Sequence, residues 1–233
     1  MVTAPALAIE KVNTPQVVKG RTQLEYFGAA TTDDVTAAQD GAQRHRFQMQ
    51  RAFTDRLDVA LSFTGTAHPN ESNRASNFGL RAKYEFTEQG EWWLSSGVQG
   101  RYSHRVDTHA DDIHIRGLVQ RQQGPVTATF NLGLRRELGA DRLHGLEARA
   151  AAQAIYTVSP YLSPGVEWFS VFGTLDDIRP FTDQQQEAGP ILTGAVPLSD
   201  TDFISYIGGV YWGLTDEAPD FGGRLQINYV THF

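Results

Sequence analysis

The sequence predicts an all-β fold: a transmembrane antiparallel up-and-down β-barrel of twelve strands, with ten as the alternative count. Three observations carry this prediction. Apolar and polar residues alternate with period two along most of the chain, and helical periodicity is nearly absent. Tight connections and longer polar connections follow one another in turn. The last segment, 221–233, sets Leu225, Ile227, Tyr229 and Phe233 on one register against Arg224, Gln226 and Asn228 on the other.

The elements follow in chain order. Residues 1–18 contain Pro5 and Pro15, which oppose a helix. They show neither a basic n-region nor an apolar h-region of signal-peptide length. This stretch is expected to be a flexible lead-in, with the barrel domain spanning 19–233. The first two strands are expected at 19–29 and 42–53. The third, 56–66, opposes Leu57, Val59, Leu61 and Phe63 to Asp58, Ala60, Ser62 and Thr64. The fourth, 75–87, opposes Phe78, Leu80, Ala82, Tyr84 and Phe86 to Asn77, Gly79, Arg81, Lys83 and Glu85. Strands at 91–104 and 112–123 come next. The seventh, 126–138, opposes Val126, Ala128, Phe130, Leu132 and Leu134 to Thr127, Thr129, Asn131, Gly133 and Arg135.

The eighth strand, 145–158, includes the alanine-rich run 148–154, which is helical by propensity alone. As a strand it turns Glu147, Arg149 and Gln153 to one face and a smooth alanine surface to the other. Segments 162–173 and 187–198 alternate poorly, and 202–214 and 221–233 complete the set. Most segments exceed the roughly 9–11 residues that cross a bilayer at barrel tilt.

Short connections are expected at Thr54-Asp55, Glu88-Gln89-Gly90, Gly124-Pro125, Ser159-Pro160-Tyr161 and Ser199-Asp200. Longer ones are expected at 30–41, 67–74, 105–111, 139–144, 174–186 and 215–220. All 10 prolines fall in the lead-in, in connections, or near expected strand ends (Pro164, Pro190, Pro197), as a closed ladder demands. Phe53, Phe86, Trp92, Trp93, Tyr156, Tyr161, Phe203, Tyr229 and Phe233 lie near the short-turn ends. Tyr26, Phe27, Phe63, Phe78, Tyr102, Phe172, Tyr211, Trp212 and Phe221 lie nearer the long-loop ends. Two levels of aromatics suit the two interfaces of a membrane.

Composition limits the function. With no Cys the chain has no disulfide framework, thiolate zinc site or cysteine nucleophile. A net charge of −7 argues against nucleic acid as a partner. No run approaches the 18 apolar residues of a spanning helix. The polar register carries Arg21, Glu25, Arg46, Asp58, Arg81, Lys83, Glu85, Arg101, Arg116, Arg135, Glu147, Arg149, Glu167 and Arg224. Of 20 basic residues only Lys11, Lys19 and Lys83 are lysines. Arginine suits partly buried ion-pair ladders, because its planar fork holds carboxylates at two points. These fourteen residues are therefore expected to face inward and to line a pore, with the apolar set facing lipid.

The terminal strand closed by Phe233, the connection asymmetry and the even strand count resemble Gram-negative bacterial outer-membrane β-barrel proteins. More loosely, Leu24-Glu25-Tyr26-Phe27-Gly28 and Tyr211-Trp212-Gly213-Leu214-Thr215-Asp216 with Pro219-Asp220 resemble porin-like and transporter-like proteobacterial barrels. The resemblance covers 19–233. It implies an outer-membrane location with both termini periplasmic, surrounding lipid and lipopolysaccharide, and recognition of Phe233 by the barrel assembly machinery. It implies a narrow channel for small polar solutes. A structural or interaction barrel with a plugged lumen, acting through its outer loops, is the alternative. A lipid-modifying enzyme is the further one.

Two clusters invite chemistry. His104, Asp107, His109, Asp111 and His114 concentrate imidazoles and carboxylates suited to a divalent ion such as Zn²⁺ or Cu²⁺. Their spacing matches no defined motif, and ordinary hydrophilic loop residues are the plainer reading. Ser103, His104 and Ser62 supply residue types for a hydrolase, but the chain lacks Gly-x-Ser-x-Gly. No catalytic set and no cofactor are expected.

Overall fold

The computed structural model of the chain describes residues 10–34, 40–67, 74–106, 110–140, 142 and 145–232. Its strands are β1 (Arg21–Thr32), β2 (Gln43–Ala52), β3 (Leu57–Ala67), β4 (Arg74–Thr87), β5 (Ser95–Arg105), β6 (Ala110–Gln123), β7 (Val126–Gly139), β8 (Glu147–Tyr156), β9 (Ser163–Thr174), β10 (Asp177–Ile178), β11 (Gln185–Pro197), β12 (Phe203–Gly213) and β13 (Phe221–His232).

Twelve of these close into one antiparallel barrel. Each pairs with its chain neighbour, β9 pairing with both β8 and β11, and β13 returns to β1 from Arg21↔His232 to Thr32↔Phe221. The two-residue β10 lies outside this cycle and pairs only with the end of β9. Closure leaves no unpaired edge for another chain to extend. The twelve expected strands are all present and the ten-strand alternative is set aside. The poorly alternating 162–173 and 187–198 are β9 and β11.

Local chemistry explains the turns. Gly124 adopts φ +57° before Pro125, the sign pattern of a type II′ turn, which joins β6 to β7 with the twist the hairpin needs. The expected alternation of connection lengths does break at one place. The β4–β5 connection runs over 88–94 and carries the exposed Trp92 and Trp93, whereas β5–β6 needs only 106–109. Pro190 departs from expectation too, because it sits inside β11. The ladder to β12 is interrupted at Gly189 and Pro190, while Pro190 still faces Val166 of β9. A proline lacks the N–H that a ladder bond to β12 would use.

Burial answers which face is inside. The exposed face carries Leu24, Phe47, Met49, Leu61, Phe78, Leu80, Ile115, Leu132, Val166 and Leu225, with Leu61 64% exposed. Glu25, Asp58, Arg81, Glu167, Arg224 and Gln226 are buried, each at 6% or less. This inverts the water-soluble pattern, in which charge faces out and apolar bulk faces in. Phe53, Phe86, Trp92, Trp93, Tyr156 and Tyr161 are exposed toward the end bearing the chain's first strand residues. Phe63, Phe78, Tyr102, Trp212 and Phe221 are exposed toward the other. Phe27 and Tyr211 leave the expected belt: at 1% and 0% exposure they point inward with Phe169.

The expected flexible lead-in is corrected for its second half. Residues 10–18 form no strand or helix, yet Val12, Asn13 and Val17 are buried inside the barrel. Residues 1–9, including Pro5, lie outside the described residues, as do Pro69 and Phe233.

Candidate functional site

The barrel interior is the candidate site. All fourteen charged residues expected on the inner face are there, each buried or half-buried. They form connected groups. Asp58 of β3 accepts from Arg81 of β4 at 3.1 Å and pairs with Lys83 at 3.0 Å. Glu25 of β1 holds Arg46 of β2 at 3.1 Å and also contacts Lys11 of the inserted segment. Glu167 of β9 accepts from Arg224 at 2.6 Å, from the Tyr211 hydroxyl at 2.5 Å, and from Gln153. Nearer the rim Arg135 reaches Glu137 at 2.9 Å and lies 3.8 Å from both Asp112 and Glu147. Arg149 also contacts Glu147. Arg21 and Arg101 donate to the amides of Gln23 and Asn77. Burying charge is costly unless it is paired and hydrogen-bonded. Most of these residues meet that condition through carboxylate–guanidinium pairs, whereas Arg21 and Arg101 reach amide oxygens and the Nε atoms of Arg21, Arg46, Arg81, Arg101 and Arg224 have no hydrogen-bond partner among the described residues.

An aromatic patch interrupts the ionic lining. Phe169 and Tyr211 meet edge to face at 5.4 Å, and Val12, Phe27, Ala29, Ala151 and Ile191 complete the cluster. The Arg46 guanidinium stands 4.7 Å from the Phe27 ring centre, and Arg224 stands 5.7 Å from that of Phe169. Cation–π attraction of this kind links the apolar patch to the charged wall.

Residues 10–18 thread this interior. Asn131 of β7 bonds Asn13 twice: its carbonyl accepts from the Asn13 N–H at 2.7 Å and its amide donates to the Asn13 carbonyl at 2.8 Å. Lys83 donates to the carbonyls of Thr14 and Gln16 at 3.1 and 2.6 Å. Glu85 accepts from the Val17 N–H at 2.7 Å. Glu10 bridges three strands. Its carboxylate pairs with Arg116 of β6 and, at 2.8 Å, with Arg149 of β8, while its carbonyl accepts from Arg224 of β13 at 2.6 Å. Two cavities beside the segment measure about 10 and 50 Å³. The first is about the minimum that holds one water.

Glu10 and Lys11 escaped the sequence reading because a stretch without period two gives no sign that it returns into the barrel. Arg44, Asp112 and Glu187 were missed for a simpler reason. They lie within the expected strands and share parity with Arg46, with Arg116 and with the inward Ile191, so carrying parity to the end of each strand finds them. Glu187 is 1% exposed, and its Oε1 has no hydrogen-bond partner among the described residues.

Among the described residues the candidate metal cluster does not come together. His104 and Asp111 meet at 2.9 Å on the outer face, where Tyr102 also bonds Asp111. His114 is three residues from Asp111, an odd offset, so it faces the lumen beside Arg116. Asp107 and His109 lie outside the described residues, as do His68 and His144. No group of three metal-ligating side chains occurs among the described residues. Ser103 and His104 are likewise split: Ser103 is buried inside and His104 exposed outside. Ser62 donates to the Gly79 carbonyl at 3.5 Å.

No family model matches the sequence, and no curated protein matches it. Solved structures do match the fold. An outer-membrane channel from Pseudomonas putida F1 aligns with TM-score 0.67 at 12% identity, covering 97% of this chain and 100% of that one. The KdgM porin in complex with disordered oligogalacturonate aligns at TM-score 0.59 and 8% identity, covering 91% and 99%. The translocator domain of the autotransporter NalP from Neisseria meningitidis aligns at 0.51 and 11%, covering 93% and 90%. Porins and a translocator thus share this barrel with the chain, and its closed twelve-strand architecture is that of outer-membrane barrels.

Proposed function

We propose that this protein is a narrow bacterial outer-membrane channel for small polar solutes, whose lumen residues 10–18 hold closed in this state. The single observation that carries the reading is the inverted wall: apolar residues outside, and an ionic interior whose charges come from nearly every strand. The fourteen inner charged residues then line the passage. The likeness to the Pseudomonas putida channel and to the KdgM porin supports transport over catalysis, as does the separation of Ser103 from His104 by the barrel wall. In this reading both termini are periplasmic, lipid and lipopolysaccharide surround the wall, and Phe233 is the residue that the assembly machinery reads.

A second reading has its own observation. The segment is bonded to β1, β4, β6, β7, β8 and β13, which also suits a permanently plugged scaffold acting through its outer loops. Planar-bilayer recording separates the two. Purified protein should give discrete conductance steps, and arabinose should enter proteoliposomes faster than raffinose. Silence in both assays, with the barrel folded, would reject the channel in favour of the scaffold.

A further inference from the structure

Glu10 binds the wall as a free carboxylate would. Its two oxygens are divided between two guanidiniums, Arg116 and Arg149, whose side chains are only 9% and 8% exposed. Such charge-assisted pairs are the strong class of hydrogen bond. The contact is made by a coil residue, so no ladder requires it. Its removal would strand Arg116, whose other contacts are the Lys11 carbonyl of the same segment and the His114 ring. Arg149 would keep Glu147. A buried arginine without an anion is costly, so the wall alone is built with an anion position that the segment fills.

The neighbouring residue contacts define what else is recognised. Two residues along, Val12 fills the patch formed by Phe27, Phe169, Ile191 and Tyr211. The segment therefore presents a carboxylate and a branched apolar group to adjoining complementary surfaces. The cavity beside Glu10, about 10 Å³, is too small to admit a solute next to it. A solute using this position must replace Glu10.

We propose that the Arg116–Arg149 pair and the Phe27–Phe169–Tyr211 patch form a solute site for small organic carboxylates with an apolar body. Residues 10–12 occupy it as an internal ligand. Solute entry and displacement of the segment are then one competition, and an internal competitor lowers apparent affinity by the fraction of time that it occupies the site. This assignment rests on the channel reading, but its test does not need conductance.

The test is calorimetry on the detergent-solubilised full chain with 4-methylpentanoate, acetate and 4-methylpentanamide. Glu10→Gln removes the competing charge on a coil residue and leaves every strand intact. It should tighten 4-methylpentanoate binding about tenfold or more, with acetate weaker and the amide showing no heat. Arg116→Gln in the Glu10→Gln background should abolish binding, and Phe169→Ala should remove the preference over acetate. Should Arg116→Gln fail to fold, the Glu10→Gln result still decides. Unchanged affinity on Glu10→Gln, equal binding of the amide, or no binding to either protein would overturn the site. A channel that conducts but shows no such competition would lose this inference alone. A silent barrel that binds the carboxylate would lose the channel alone.

Discussion

Arg224 of β13 and Glu167 of β9 meet at 2.6 Å with both side chains fully buried, although β11 and β12 stand between their strands in the wall. The pair spans the concave inner surface and fixes its curvature at that level. Tyr211, on one of the intervening strands, donates to the same carboxylate at 2.5 Å. Removing one partner leaves a buried charge alone, which typically costs about 3–5 kcal/mol. Glu167→Ala and Arg224→Ala should each lower the urea midpoint of the folded barrel in detergent by that order. The double variant should cost clearly less than the sum, because the second removal relieves the charge stranded by the first. Additive losses would show that the two residues act separately.

Gly189 is required where the β11–β12 ladder opens. A Cβ there would lie 1.8 Å from the Val210 carbonyl oxygen and 2.9 Å from the Tyr211 Cα. Both obstacles are backbone, so no rotamer change relieves them. Gly189→Ala should cost at least the roughly 1–3 kcal/mol of ordinary overpacking and reduce the yield of heat-modifiable barrel on gels. Gly208→Ala is the control, since nothing lies within 4 Å of its added Cβ. Equal behaviour of the two variants would contradict the close approach of β11 and β12 at this point.

The strands were legible because a bilayer-spanning wall forces one side chain in two toward lipid, so period two is written into Leu57–Phe63 or Val126–Leu134 directly. The inner charges were legible for the same reason, since parity carries Arg81 to Lys83 to Glu85. Parity was also enough to separate His114 from Asp111, and to turn Phe27 inward beside Glu25. Grouping residues by closeness in sequence or by residue type hid both. The inserted segment was not legible. Its contacts, such as Asn13 with Asn131, join positions 118 apart in sequence and depend on a surface that exists only after closure. Pro190 misled because strand ends, not strand interiors, are where proline is expected.

The orientation of the wall gives a substitution test independent of transport. Leu61 lies on the outer face, 64% exposed, and Gln48 on the inner face, 8% exposed. Arginine on a lipid-facing midplane position costs about 2–4 kcal/mol, and less toward the interfaces. Leu61→Arg should lower the folding midpoint in lipid vesicles by that order, while Leu61→Phe leaves it near wild type. Gln48→Glu should change stability less than Leu61→Arg, because the lumen already carries both signs of charge. If Leu61→Arg were tolerated as well as Gln48→Glu, the outward face would not be meeting lipid.

The bond between Asn13 and Asn131 offers a way to hold the lumen shut at will. The chain contains no Cys, so Asn13→Cys with Asn131→Cys adds the only two thiols, at positions now joined by two hydrogen bonds of 2.7 and 2.8 Å. Disulfides form across Cα separations of about 4.4–6.8 Å, and a short bis-methanethiosulfonate reagent covers a slightly longer gap. Cross-linked protein should show fewer and shorter openings in planar bilayers than the same protein after dithiothreitol. Each single-cysteine variant should be insensitive to the reductant. Lys83→Met acts in the opposite sense: it removes both donations to the Thr14 and Gln16 carbonyls and should raise open probability. It also takes one cation from Asp58, whose Oδ2 still accepts from Gln50 at 2.9 Å and which Arg81 still neutralises at 3.1 Å. A cross-link without effect on conductance would mean that ions pass beside the segment, and the segment would then be part of the channel wall instead of its closure.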